Sequence, residues 1–542
     1  VQDAPTPELE ARLNEVSQER DHFRKLYLEA LERCVLLERG IMAGNKAERF
    51  TADGSQLTLG VLGLLLTPEV PEAPEAPAAS PSSPSSPSEE TILAPPPAKR
   101  RASGRRAITA MLPRVDIEVL PPEVQREGLD AFDRIGEETS EVVEHRPASL
   151  VLVRIVRPKF VRKRVARDDT PIDPDESPVL IADPPERPIE RGLAGPGLLA
   201  KTIVYRWQDH LPLYRQEKIH ARDGLELARS TICGWHGQLA DLAERLVEAM
   251  LRDAFTQPYL CVDATGVLVQ AEEQCRRAHF WVLVAPGRHV LYRYSHKHDS
   301  EAVDHLLAGY KGHLVADAHS VYDHLYRTGD IIEVGCWAHC RRYFYKALAS
   351  DPARAEHALS LIRGLYRLER PVQTATRKKR EEVRRQKSRP LTDAFFAWCE
   401  QQAAVALDET PIARALGYAR NQRAALCRFL DDGRLPLDNN ISEQNLRREV
   451  LGRKNWLFLG SDEGARVNTI FVSLLASCQL RGIEPWAYLR DLLCLLPSWP
   501  ASRVLELAPA FWQQTLQQED TQQRLAANVF RGVSILDHAQ PT

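Results

Sequence analysis

Cysteine is sparse: the 542-residue chain holds ten, and none falls between Cys34 and Cys233. Thiols so scattered do not form a disulfide framework, and a reducing cytoplasm is the expected setting. No run is long and apolar enough to cross a membrane, and the charged N-terminus does not read as a secretory signal. An excess of one charge is missing too. The formal net charge is −3, which excludes a uniformly basic nucleic-acid binder and leaves any such role to local clusters. What is present, 44% apolar and 27% charged residues, fits a globular protein. The length asks for several domains rather than one core.

Residues 1–45 read as a leucine-zipper-like helix. Leu9, Val16, Phe23, Ala30 and Leu37 recur every seven residues, and Leu13, Tyr27 and Cys34 fill the offset position, with Arg20 the exception. The spacing serves a short coiled coil and an ordinary amphipathic helix equally well. Residues 46–110 read as a partly disordered linker. Its Pro, Ala, Ser and Glu stretch at 67–97 cannot bury enough surface to fold. The cluster KRRASGRR at 99–106 is either a solvated charge run or a phosphate contact. Residues 111–190 predict a small β module, from the apolar–polar alternation of SEVVEHRPASLVLVRIVRPKFVRKRV at 140–165, with proline-rich coil to about 190. Residues 191–255 read as helical, with a break at Gly224 and a new helix near Ser230. That pair fits a helix-turn-helix presenting Arg229, Ser230 and Thr231 to DNA, and it also fits an ordinary core pair.

From residue 257 the pattern changes to strands. PYLCVDATGVLVQ, AHFWVLVAP and HVLYRYS predict three strands with short turns between them. SEAVDHLLAGY predicts a helix, HLVADAHS a fourth strand ending at Asp317, SVYDHLY a helix, and IIEVGCWAH a fifth strand running into a helix. Three strands, helix, strand, helix, strand is the order of a ribonuclease-H-like fold, in which the first and fourth strands are neighbours. Asp263 and Asp317 then sit side by side although 54 residues separate them. Adjacent carboxylates repel unless a cation holds them or one is protonated. Hard oxygen ligands suit Mg²⁺ or Mn²⁺, and two such ions serve phosphodiester chemistry. Glu443, in DNNISEQNLRREVLGRKNW, is the candidate third carboxylate; the bland alternative is an ion pair with Arg447 one turn on.

On that reading Glu443 works from the start of a helix, and Arg447, Arg448, Arg453 and Lys454 hold phosphates. Trp456 stacks on an unpaired base or sits in the core, and Asn439 and Asn440 shape the helix entry. CWAHC brings Cys336, His339 and Cys340 together, but a second ligand pair is lacking. Cys336 and His339 therefore read as core or active-site wall rather than a zinc site. The 125 residues between Asp317 and Glu443 hold a helical insertion at about 345–430 inside a core spanning 256–480. Within it RKKREEVRRQKSR at 377–389 is a solvated helix or a phosphate-contacting face. Residues 481–542 read as a C-terminal helical tail.

VDATGV, ADAHSVYDHLY, CWAHCRRYF, DNNISEQNLRR and LGRKNWLFLGSDEGA closely resemble motifs of the insertion-sequence-66 family of bacterial transposases. So do EHRPASLVLVRIVRPKF, GLAGPGLLAKTIVYRWQDHLPLYRQEKIHARDG and STICGW upstream, and LLASCQLRGIEPWAYLRDLL downstream. The resemblance runs in order from about 135 to 515, and the N-terminal helix matches the family's leucine-zipper region. It implies a DDE transposase with the triad Asp263, Asp317 and Glu443, binding two Mg²⁺ or Mn²⁺ ions. Such an enzyme cleaves DNA at the ends of its element and transfers the 3′ hydroxyl to target DNA. DNA would be the partner, with a homodimer or higher oligomer, companion proteins of the same element, no membrane, and a cytoplasmic, nucleoid-associated location. The expected architecture is multidomain α/β. A ribonuclease-H-like core with a helical insertion follows a helical DNA-binding region, a small β module and an N-terminal coiled-coil helix.

Two departures from the family stand out. Gly266 occupies the place of the usual proline after the first-Asp threonine, which is expected to alter only a local turn. The β module lacks the family's four-cysteine unit and carries only His145, so its shape is expected without zinc. An alternative function is a DNA-binding descendant that no longer cuts; a nuclease without strand transfer is weaker.

Overall fold

The chain divides into two units, residues 1–107 and 108–542. The structure, a computed structural model, describes residues 113–146, 149–162, 179–272 and 274–535. The zipper-like helix and the linker lie outside the described residues.

The described unit is a mixed α/β assembly with two sheets. The first joins β1 (Arg114–Glu118), β2 (Phe132–Arg146), β3 (Ser149–Arg162) and the two-residue β4 (Leu180–Ile181). β2 and β3 pair antiparallel along their whole length, from Phe132 opposite Arg162 to Arg146 opposite Ser149. The alternation foreseen at 140–165 therefore extends back to Phe132. Its inward Val142, Val151, Val153 and Ile155 pack against Phe530 and Val533 near the end of the chain. β2 also carries an acid into the interior. The Glu144 carboxylate accepts from the backbone N–H of its neighbour His145 and of Leu198, each at 2.7 Å. Leu198 lies in the first turn of helix α1 (Pro196–Trp207), whose positive end favours an anion. A side chain at Gly195 or Gly197 would collide with that carboxylate, so the glycines are what let it enter.

Three helices follow: α1, α2 (Leu213–Arg222) and the 26-residue α3 (Arg229–Ala254). α3 buries Ile232, Trp235, Leu239, Ala243, Leu246 and Met250, an i, i+3/i+4 stripe. The second sheet has the order β7-β6-β5-β8-β9, formed by β5 (Tyr259–Val269), β6 (Arg276–Ala285), β7 (His289–Ser295), β8 (Gly312–Val315) and β9 (Ile331–Val334). Helix α4 (Ser300–Leu306) connects β7 to β8. The first three strands pair antiparallel, whereas β8 and β9 add in parallel. Gly266 lies inside β5 opposite His279, so the turn expected there is continuous strand.

After β9 come α5 (Trp337–Ala347), α6 (Pro352–Glu369), α7 (Arg377–Val383), α8 (Arg389–Ala403) and α9 (Pro411–Asn421). They pack around Trp337, Phe344, Phe395 and Phe396. The chain then returns to the sheet as α10 (Asn440–Trp456) and α11 (Asp462–Arg481). α11 covers the β7 edge and satisfies its backbone. The Val290 N–H donates to Ser477 Oγ at 3.0 Å and the Tyr292 N–H to Ser473 Oγ at 2.8 Å. An edge strand bonded in this way offers no template to another chain.

Candidate active site

The parallel β5–β8 register pairs Tyr259 with His313, Leu260 with Leu314 and Cys261 with Val315. Asp263 and Asp317 each follow that last pair by two residues, Asp317 lying just beyond the end of β8. Asp263 is half-buried and its Oδ1 accepts from the Ala264 N–H at 2.8 Å. Burial pushes its carboxyl up to about 7, and the negative charges of Asp317 and Glu443 add to the rise. The three acids expected from the sequence thus share one electrostatic field.

Glu443 reaches that field because α10 is pinned to β5. Asn439 occupies the cap position, yet its side chain makes no cap bond. Its Nδ2 instead donates to Val262 O at 2.8 Å, one residue before Asp263, and its N–H donates to Cys336 Sγ at 3.2 Å. Asn440 opens the helix and donates to Asp438, whose other partner is the Tyr366 hydroxyl at 2.9 Å. Cys336 is buried with its thiol pushed up to about 11, chiefly by desolvation, so it is no thiolate and serves as an anchor.

Glu443 Oε1 accepts from Arg342 Nη2 at 3.0 Å and lies 3.4 Å from His339 Nε2. Burial and Arg342 lower His339 below the ordinary imidazole range, against the pull of Glu443, Asp317 and Asp438. Arg342 was missed in the sequence. Its signal was there, three residues after His339 on the same face of α5. Beyond Asp317 a second wall is built of rings: His298 stacks on Trp281 at 4.7 Å and 6°, and His319 meets His298 at 4.8 Å. Among the described residues no group of three or more His, Cys, Asp or Glu stands in metal-holding geometry.

The basic residues of α10 divide into two sets. Arg448 is turned inward, donating to Trp207 O at 3.5 Å and Gln208 Oε1 at 2.6 Å, with Gln479 a third partner. Arg453 donates to Thr265 Oγ1 at 3.1 Å and to Gly266 O, bracing β5. Arg447 and Lys454 are exposed. Trp456 is half-buried under the Arg206 guanidinium, 5.8 Å from its ring centre. Arg229, Ser230 and Thr231 form the exposed first turn of α3. In 377–389, Arg384 is fully buried. It forks onto Glu369 at 2.7 Å and donates to the carbonyls of Phe429, Asp432 and Leu435. Lys378, Arg385 and Lys387 remain on the surface.

Comparison with known proteins bears on this arrangement. A family described as Transposase IS66 family matches residues 191–467, and one described as IS66 C-terminal element matches residues 473–510. The chain is 32% identical over 432 residues to the uncharacterized protein y4qI of Sinorhizobium fredii (strain NBRC 101917 / NGR234), covering 76% of this chain and 78% of that one. It is 28% identical over 413 residues to the uncharacterized protein y4hP of the same organism, covering 71% and 73%.

Proposed function

The chain belongs to the IS66 family of transposases, and we propose that it cleaves DNA at the ends of its element and joins the freed 3′ hydroxyl to a target, with Asp263, Asp317 and Glu443 as the catalytic acids. The observation that carries this reading is that the parallel β5–β8 pairing, which ends at Cys261 and Val315, leaves Asp263 and Asp317 each two residues further on, with the charges of Asp317 and Glu443 both felt by Asp263. The strand order β7-β6-β5-β8-β9 supports a ribonuclease-H-like core around them.

The chemistry of the donors, though not their present spacing, suits Mg²⁺ or Mn²⁺: three carboxylates offer hard oxygens, and the buried Asp263 feels negative charge that a cation would relieve. When bound, two such ions supply activation of the attacking oxygen and stabilisation of the leaving one. The protein's own part is to orient. Asn439 fixes α10 on β5, and Arg342 and His339 hold the Glu443 carboxylate until that charge is taken up elsewhere. In the first step water oxygen bonds to phosphorus and the 3′ oxygen leaves as a hydroxyl. In the second, that hydroxyl attacks a target phosphodiester and the target's own 3′ oxygen leaves. DNA is engaged by the exposed start of α3 and the exposed cations of α10, and a dimer of the chain pairs the two ends.

The test is cleavage and joining of the native element ends with Mg²⁺. Asp317→Asn and Glu443→Gln each abolish both steps while leaving end binding intact, because carboxylates do not read the ends. Robust cutting by either variant removes that residue from the triad. Wild-type protein that binds ends and never cuts establishes a non-cutting descendant instead.

A further inference from the structure

The exposed residues of α10 are not scattered. Gln444, Arg447, Leu451, Lys454 and Asn455 all face solvent. At 3.6 residues per turn they fall on one stripe about 100° wide. That stripe starts beside Glu443 and ends on an apolar tip: Leu457 is 67% exposed and Phe458 42%. Leu268, on the end of β5, is 46% exposed, and its carbonyl accepts from the Leu459 N–H at 2.9 Å, just after the tip. Leu451, 51% exposed, lies between Arg447 and Lys454. Those two cations carry no ion pair among the described residues. The nearby Asp462, by contrast, is neutralised by Arg276.

The tip is also held rigidly. Leu457 has φ of +65°, a conformation that L side chains adopt only under constraint. Backbone bonds lock it from both sides: the Leu457 N–H donates to Arg453 O at 2.7 Å, and Gln270 N–H to Leu459 O at 2.8 Å. Strain maintained to display two large apolar side chains to water, beside unpaired cations, suits apolar insertion against bases with phosphates held alongside.

We propose that the stripe of α10 tracks one DNA strand away from the cut and that Leu457 and Phe458, with Leu268, pack against an unstacked base some five to six nucleotides from the scissile phosphate. The inference rests on the catalytic assignment above for its origin of distance. Fourteen helical residues from Glu443 to Leu457 span about 21 Å, and five strand residues from Asp263 to Leu268 span about 17 Å. At about 3.4 Å per nucleotide step, both give five to six steps.

The experiment uses the full chain and a duplex from the end of its own element, with 2-aminopurine placed at one position at a time along the terminal segment. The expected result is a fluorescence rise confined to about the fifth and sixth positions from the cut. Leu457→Gly with Phe458→Ala, in which glycine accepts the positive φ, abolishes that rise and weakens binding about tenfold. Arg447→Ala with Lys454→Ala keeps the rise but lowers the salt dependence of binding by about two counterions. No rise in the wild type, or a rise that survives the tip variant, overturns the proposal. So does a tip variant that binds DNA unchanged while its oligomer mass falls, which assigns the tip to a second copy of the chain. Since the readout is binding, a protein that never cuts but shows the rise upholds the contact while defeating only the catalytic reading.

Discussion

Asp263→Asn separates the chemistry of the site from its electrostatics. The amide has nearly the same size and keeps an oxygen to accept the Ala264 N–H. It removes a carboxyl whose folded value is about 7 against an ordinary 3.8. The sign follows from proton linkage. Below about pH 4 the group is protonated in both folded and unfolded chains and costs no stability. As pH rises toward 7 the unfolded chain ionises and the folded one resists, so the wild type progressively loses stability. Three units correspond to up to about 4 kcal/mol, complete above pH 7. For a folded unit of several hundred residues, that is a rise in Tm of about 4 °C for the variant at pH 8 in chelator. The assay is a thermal melt from pH 5 to 8.5, with and without Mg²⁺. The gain should shrink steadily as pH falls below 7. Mg²⁺ should stabilise the wild type more at pH 8 than at pH 6 and should leave the variant nearly unmoved. A variant no more stable than wild type at pH 8, or equally stabilised at every pH, refutes the account of Asp263 as a buried acid awaiting a cation.

Glu144, fully buried in β2, is pushed up to about 8 by desolvation, so its contribution is present below about pH 4.5 and lost as pH rises through 8. Glu144→Gln should flatten that part of the pH–stability curve and raise the Tm at pH 9; an unchanged slope would mean that other groups set it. Arg384→Met leaves Glu369 and three carbonyls without their partner. It should destabilise the helical insertion by about 3–5 kcal/mol, seen as early proteolysis within 345–430. Lys378→Ala, at the surface of the same basic run, should change stability by less than about 0.5 kcal/mol. Equal effects of the two substitutions would contradict the distinction between buried and solvated cations.

The sequence by itself determined the local elements and singled out the candidate acids. Short apolar runs bounded by turns marked β5, β6 and β7, and period-3.6 runs marked α3, α6 and α8, because a strand within a covered sheet and a helix buried on one face impose those patterns whatever the neighbours are. Asp263 was conspicuous because an acid inside an apolar strand is unfavourable without a purpose. The order of strands and helices also limited which strands could be neighbours, so the approach of Asp263 to Asp317 was legible across 54 residues. Which cations are free was not legible. Arg447 and Arg448 are adjacent in sequence, yet a 100° turn sends one to solvent and the other into Gln208 and Trp207. Arg384 reads as one member of a charged run, and only the fold closes three carbonyls and a carboxylate around it. Asn439 has the composition of a helix cap. Its actual bond to Val262 spans 177 residues, and no local pattern encodes a contact that exists only after the insertion has folded and returned α10 to the sheet.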